Sequence, residues 1–302
     1  MKLPRKIFVA FIRKALQSRY SLFFLNGFLL ACLLYFYMED SYERQLIKAM
    51  ADYVSDKAQI TGNREEDLLL KSLHLTNYLG KSRSFIFNDK ELHGLKSSFI
   101  HPVTVDLQTA SNACGSYAYI LSRILSELNI TNRIAQMKVN GKYGGHILVE
   151  AKTSKGWVVL DGSYNLLFRK PDGAMASFAD VMANWDFYKK QVPADYNFMY
   201  SYQGVQYTNW NKIPVLMPMI KNILSVFIGK EEAENYSFRT YLLRKYNLLF
   251  KATAIIYLTL VIMMVRRYFN RNRRLFTIYF PVLFHEKDIS SVIAGKSATN
   301  RI

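Results

Sequence analysis

Tyr20 to Met38 (YSLFFLNGFLLACLLYFYM) runs nineteen residues without a charged side chain. At a helical rise of 1.5 Å per residue, that length matches the ~30 Å hydrocarbon layer of a bilayer. Lys2, Arg5, Lys6, Arg13, Lys14 and Arg19 precede the stretch with no acid among them, and Glu39, Asp40 and Glu43 follow it. Lys and Arg beside a span stay cytoplasmic, so the N-terminus reads as inside. A cleaved signal peptide has an apolar core of roughly 7–15 residues and a small-residue cleavage site. This stretch is longer and ends in Tyr-Phe-Tyr-Met, which reads as an uncleaved anchor.

A second candidate span, Tyr246 to Val265, is interrupted only by Lys251, which near a helix end can snorkel to the headgroups. Arg266, Arg267, Arg271, Arg273 and Arg274 form a cytoplasmic-type flank behind it. The expected layout is a basic cytoplasmic segment 1–19, a span 20–38, an extracytoplasmic domain 39–245 with its core at about 105–170, a span 246–265, and a basic cytoplasmic tail 266–302. A bacterial inner membrane is the expected setting.

The charge fits this layout. Of a net +17, residues 1–19 supply +6 and residues 266–302 another +6, leaving only +5 for everything between. The excess marks orientation at two spans, and no nucleic-acid partner is expected. There are two cysteines, too few for a disulfide framework, and only Cys114 lies between the spans.

Between the spans, Tyr42, Leu46, Ile47, Met50, Tyr53 and Val54 recur at helical spacing over 41–55. A second helix is expected over 64–78, with Glu65, Glu66 and Asp67 in its first turn. Residues 80–107 read as loop. A strongly patterned helix follows from Cys114 to Leu128, with Ser111 or Asn112 as N-cap. The period then changes to two: 133–139, 146–151 and 157–160 read as strands, with Asn140-Gly141 as a turn signal. A helix followed by an antiparallel meander implies an α+β domain.

Cys114 stands where a helix N-terminus favours a thiolate. If Ser154-Lys155 form a two-residue turn, Thr153 faces Gly156 and Asp161 lies opposite Leu148. His146 is then a diagonal neighbour of Asp161 on one sheet face, ~7–8 Å away backbone to backbone. A three-residue turn would put the two on opposite faces. Cys, His and Asp so arranged supply a nucleophile, a general base and an orienting carboxylate. His74, His93, His101 and His285 show no metal-ligand spacing, and neither a metal nor an organic cofactor is expected.

Residues 112–165 resemble the transglutaminase-like superfamily of papain-related thiol enzymes. The family's G-x-C-x-x-x-A appears as Asn112-Ala113-Cys114-Gly115-Ser116-Tyr117-Ala118, and its G-I-P-A-R as Asn129-Ile130-Thr131-Asn132-Arg133. Its H-A-W-V-E appears as His146-Ile147-Leu148-Val149-Glu150, and its W-x-x-L-D-P as Trp157-Val158-Val159-Leu160-Asp161-Gly162. The Gly at position 112 and the Pro at positions 131 and 162 are missing, and all three shape backbone rather than react. The resemblance implies a Cys-bearing helix packed on an antiparallel sheet, and acyl transfer or hydrolysis at amide bonds through a Cys114 thioester. His146 would act as base and Asp161 as its orienter. The Cys114 N–H, with Gln108 six residues upstream, would hold the oxyanion. The expected substrate is a peptide, protein or other amide-containing component of the envelope. The alternative is a catalytically silent module of the same fold that binds peptide or polysaccharide.

Asn165 is expected either to donate to His146 or to cap a turn. The nine aromatics from Trp185 to Trp210 read as core packing or an interfacial belt, ahead of a stacking platform for sugars. Ile213 to Ile228 contains Pro214, Pro218 and Lys221 and reads as an interfacial or packed helix. A third span there would put the arginine cluster outside.

Overall fold

The apolar stretch that starts at Tyr20 does not stop as a helix at Met38. In the computed structural model, which describes residues 18–58, 63–81, 114–242 and 245–279, one helix of 39 residues, α1 (Arg19–Lys57), continues through it. The separate helix expected over 41–55 is the second half of α1. Nothing between Phe28 and Lys57 is Gly or Pro, so no residue breaks the ladder. α2 (Arg64–Lys81) begins at Asn63, whose Oδ1 accepts from the Glu66 N–H (3.4 Å) while its Nδ2 donates to the Glu66 carboxylate (3.1 Å). α3 (Cys114–Glu127) ends where Asn129 turns left-handed (φ 61°) and the Ile130 N–H reaches back to the Leu125 carbonyl at 2.8 Å. Its expected caps, Ser111 and Asn112, lie outside the described residues.

The sheet follows. β1 (Asn132–Val139), β2 (Lys142–Thr153) and β3 (Gly156–Asp161) form an antiparallel meander, closed on one edge by β4 (Leu166–Leu167). On the other edge lies β5 (Val205–Gln206), giving the order β4-β3-β2-β1-β5. Asn140 and Gly141 both take positive φ (49° and 79°), as a two-residue hairpin turn requires. Thr153 faces Gly156 and Val149 faces Leu160, the register expected of a two-residue Ser154-Lys155 turn. The chain is α+β. Strands β4 and β5 are two residues each, too short to show a period.

Side chains of the meander alternate between two cores. Ile134, Ile147, Val149, Val158 and Leu160 face α2 and α3 and meet Leu69, Leu73, Ala118, Leu121 and Leu125. Ala135, Met137, Leu148 and Val159 face the opposite way, onto Phe168, Phe178, Tyr188, Tyr196, Tyr202 and Tyr207. The aromatic segment is therefore mainly core, with Trp185, Phe187 and Tyr200 packed around it. The far side of α3 is covered by α1, where Ile47, Met50, Ala51 and Val54 pack on Tyr119, Ile120 and Ile124. Each fully buried side chain of this kind contributes about 1.5–3 kcal/mol.

Within the second core, α4 (Phe178–Ala183) is held by a reciprocal Ser177–Asp180 cap and is followed by the single turn α5 (Trp185–Tyr188). Past β5 come α6 (Leu216–Ile228), α7 (Lys230–Glu234), α8 (Arg239–Leu242) and α9 (Lys245–Tyr279). The helix expected at 246–265 thus runs on past Arg266 and Arg267. Of the described residues, those between Phe36 and Leu248 form one compact unit; those up to Tyr35 and from Leu249 on form the other, where Leu22, Leu29 and Leu260 pack together. α1 and α9 each carry a stretch long and apolar enough to cross a membrane, only 6% and 11% of it buried by protein.

Candidate active site

Cys114 is the first residue of α3, where the backbone N–H groups have no partner within the helix. The thiol is half-buried at the edge of the core that α3 shares with β2, beside Ile147. The β2–β3 ladder explains what meets it there. In a hairpin with a two-residue turn, Thr153, Ala151 and Val149 exchange backbone bonds with β3, so the Ile147 backbone points the same way. β3 ends at Asp161, one residue short of facing Ile147, and the freed Ile147 N–H is turned toward the Cys114 sulfur.

His146 and Asp161 share the opposite face of the sheet, as the two-residue turn requires. Both are buried, at 1% exposure each, and His146 Nε2 lies 2.7 Å from Asp161 Oδ2. The other carboxylate oxygen accepts from the Ser163 N–H at 3.0 Å. His146 Nδ1 is buried and has no hydrogen-bond partner among the described residues, while the thiol lies within electrostatic reach of the ring. The imidazole thus has one nitrogen fixed by a carboxylate and the other left for a proton to be moved. Such bonds are often long before substrate binds.

Charges reinforce the geometry. Burial works against a charged His146, but the Asp161 carboxylate, its hydrogen bond and the neighbouring thiol outweigh it and raise the imidazole to about 9. Burial likewise works against a Cys114 thiolate; the His146 imidazolium and the Ile147 N–H prevail and lower its pKa. Each group thus shifts the other toward its charged form, the thiol downward and the imidazole upward.

Several residues that shape the site carry no local sequence signal. Tyr200 stacks on the His146 ring, centroids 4.2 Å apart and planes within 9°, and Tyr164 lies at 6.1 Å. Asn77 of α2 donates to the Gly162 and Ser163 carbonyls (3.0 and 2.9 Å), pinning the loop that follows Asp161. A Cβ on Gly162 would stand 3.2 Å from the Tyr117 Cβ, so α3 passes this loop closely. Arg239 of α8 has its Nε buried with no hydrogen-bond partner among the described residues. Burial lowers the pKa of its guanidinium, and the Cys114 thiolate opposes that shift.

Gln108 lies outside the described residues, as do His93, His101 and His285. Asn165 does not reach His146: it occupies a left-handed turn (φ 51°) with its Nδ2 3.5 Å from His74 Nδ1. Among the described residues no three His, Cys, Asp or Glu side chains cluster as metal ligands would. The chain matches no protein-family model, no curated protein and no solved structure.

Proposed function

We propose that the protein is a membrane-anchored, transglutaminase-like thiol enzyme that transfers or hydrolyses acyl groups at amide bonds of the cell envelope. The observation that carries this reading is the buried His146–Asp161 pair at 2.7 Å, with the free imidazole nitrogen beside a thiol at a helix N-terminus. A carboxylate and an imidazole are costly to bury unless paired. A free Cys whose pKa is lowered beside such a pair is chemically distinct from a core cysteine.

In the proposed reaction the Cys114 thiolate attacks the amide carbonyl carbon and a C–S bond forms. Charge collects on the carbonyl oxygen, and the Cys114 N–H at the start of α3 is the donor nearest to it, with Gln108 the second donor the family pattern implies. His146 Nδ1 gives its proton to the departing amine as the C–N bond breaks, leaving a thioester. Water or a second amine then attacks the thioester, His146 takes the incoming proton, and the thiolate leaves. Water yields an acid and an amine a new amide; either route regenerates the starting ion pair. Asp161 holds the imidazole in one tautomer and balances its charge.

The site lies in the Phe36–Leu248 unit, and the chain carries two helices apolar enough to cross a membrane. Basic flanks at both ends support the topology in which both termini are cytoplasmic and residues 39–245 face the opposite side. A reporter fused after Ile302 that is active only outside the cytoplasm would refute that topology. For the chemistry, the full chain is mixed with the p-nitrophenyl ester of a short acylated peptide. A stoichiometric burst of nitrophenol, with the acyl mass on the Cys114 peptide, is expected. A burst that persists in Cys114→Ala, or none in the wild type, would leave the silent peptide- or polysaccharide-binding module as the better account.

A further inference from the structure

α6 (Leu216–Ile228) has no buried residue. Leu216, Met219, Ile223, Val226 and Phe227 recur at three- and four-residue spacing and so form one stripe. That stripe is turned outward, with Val226 83% and Phe227 80% exposed. Lys221 and Ser225 lie on the opposite side, where Lys221 is ion-paired with Glu234 of α7. The inner side of the helix is thus occupied by its own chain, and the apolar side is the uncovered one.

The size of the stripe limits what can cover it. A 13-residue helix is about 20 Å long. A stripe ~10 Å wide then offers ~200 Å², a quarter of the ~800 Å² per partner that stable protein interfaces use. A lipid surface needs no matching shape and no minimum area. Seventeen residues after Ile228 the chain reaches Lys245, the first residue of α9, one of the two membrane-capable helices. The nearby charges are balanced, Lys212 and Lys230 against Glu231 and Glu232. Attraction to anionic headgroups therefore does not hold the helix.

We propose that α6 lies in the plane of the membrane interface, its 216/219/223/226/227 stripe sunk to the boundary between headgroups and acyl chains. Binding is independent of lipid charge. This inference rests on the membrane anchoring proposed above, and the experiment separates the two. The full chain, carrying Cys32→Ser and Cys114→Ser, receives one labelled cysteine by Ile223→Cys, Phe227→Cys, Ser225→Cys or, in α9, Leu258→Cys. Each is reconstituted in phosphatidylcholine nanodiscs containing lipids with a nitroxide placed shallow or deep in the acyl chain.

Labels at 223 and 227 are expected to be quenched roughly threefold or more above the label at 225, more by the shallow nitroxide than by the deep one. Added phosphatidylglycerol leaves this unchanged. Deep quenching at 258 with 223 and 227 no different from 225 would overturn the inference and leave the anchoring intact. No quenching at any position would overturn both. Disulfide-linked dimers through position 227 in place of quenching would assign the stripe to a second copy of the chain.

Discussion

Asp161→Asn keeps the shape of the side chain beside His146 and removes its charge. The imidazole is held at about 9 against an ordinary 6.5, and a gap of that size corresponds to roughly 3 kcal/mol of preference for the charged ring. Burial alone works in the other direction. With the carboxylate gone, and only the Cys114 thiol left to oppose burial, His146 is therefore expected to titrate clearly below 9. The chain has five histidines, few enough for a ring-labelled NMR titration in which His146→Gln identifies the resonance. Stability moves with the same shift. A folded pKa above the unfolded one stabilises fully below about 6.5 and loses that contribution as pH rises through about 9. The melting-temperature gap between wild type and Asp161→Asn should thus be wide at pH 6 and shrink by pH 10. A variant whose His146 still titrates near 9, or whose gap widens with pH, would refute the assignment of Asp161 as the group that charges the imidazole.

Other perturbations test the scaffold around the pair. A Cβ on Gly80 would run into the buried Tyr117 ring, so Gly80→Ala should cost about 1–3 kcal/mol in chemical denaturation, despite the better helix propensity of alanine; a gain in stability would contradict the close packing of α2 on α3. Glu43 of α1 accepts from the Tyr119 hydroxyl and lies 3.6 Å from Arg123, both on α3. Glu43→Ala should destabilise by about 3–5 kcal/mol because Arg123 is left charged and buried, and Glu43→Leu with Arg123→Met should recover most of that loss. Removing the ring stacked on His146 with Tyr200→Ala should slow turnover by up to about tenfold, whereas Tyr200→Phe keeps the stack and should leave the rate within about twofold of wild type.

The meander was legible because hairpin turns fix parity. Once Ser154-Lys155 is read as a two-residue turn, the shared face of His146 and Asp161 follows from arithmetic. α3 was legible from its apolar period. The continuity of α1 past Met38 was harder to see, since Glu39 and Asp40 look like a boundary in composition although neither residue ends a helix. Asp40 in fact accepts from Asn247 Nδ2 at 3.2 Å and pairs with Arg44 at 3.3 Å. What surrounds the site was not legible at all. Tyr200 reaches His146 across 54 residues of chain, Arg239 of α8 lies within electrostatic range of the thiol, and Glu43 reaches α3 from α1. Each of these contacts is long-range and leaves no local period or spacing. β4 and β5 escaped notice because two residues of strand have no pattern to read.

The central claim is that His146 lowers the pKa of the Cys114 thiol, and it is tested most directly by titrating that thiol. The rate of iodoacetamide alkylation at the Cys114 peptide, followed from pH 4 to 10 in the full chain and in His146→Ala, reports the ionisation in each. The account predicts a wild-type midpoint below the ~8.5 of an ordinary cysteine and a return to that value or above in His146→Ala. A wild-type midpoint near 8.5 or higher, unmoved by the His146 substitution, would contradict it.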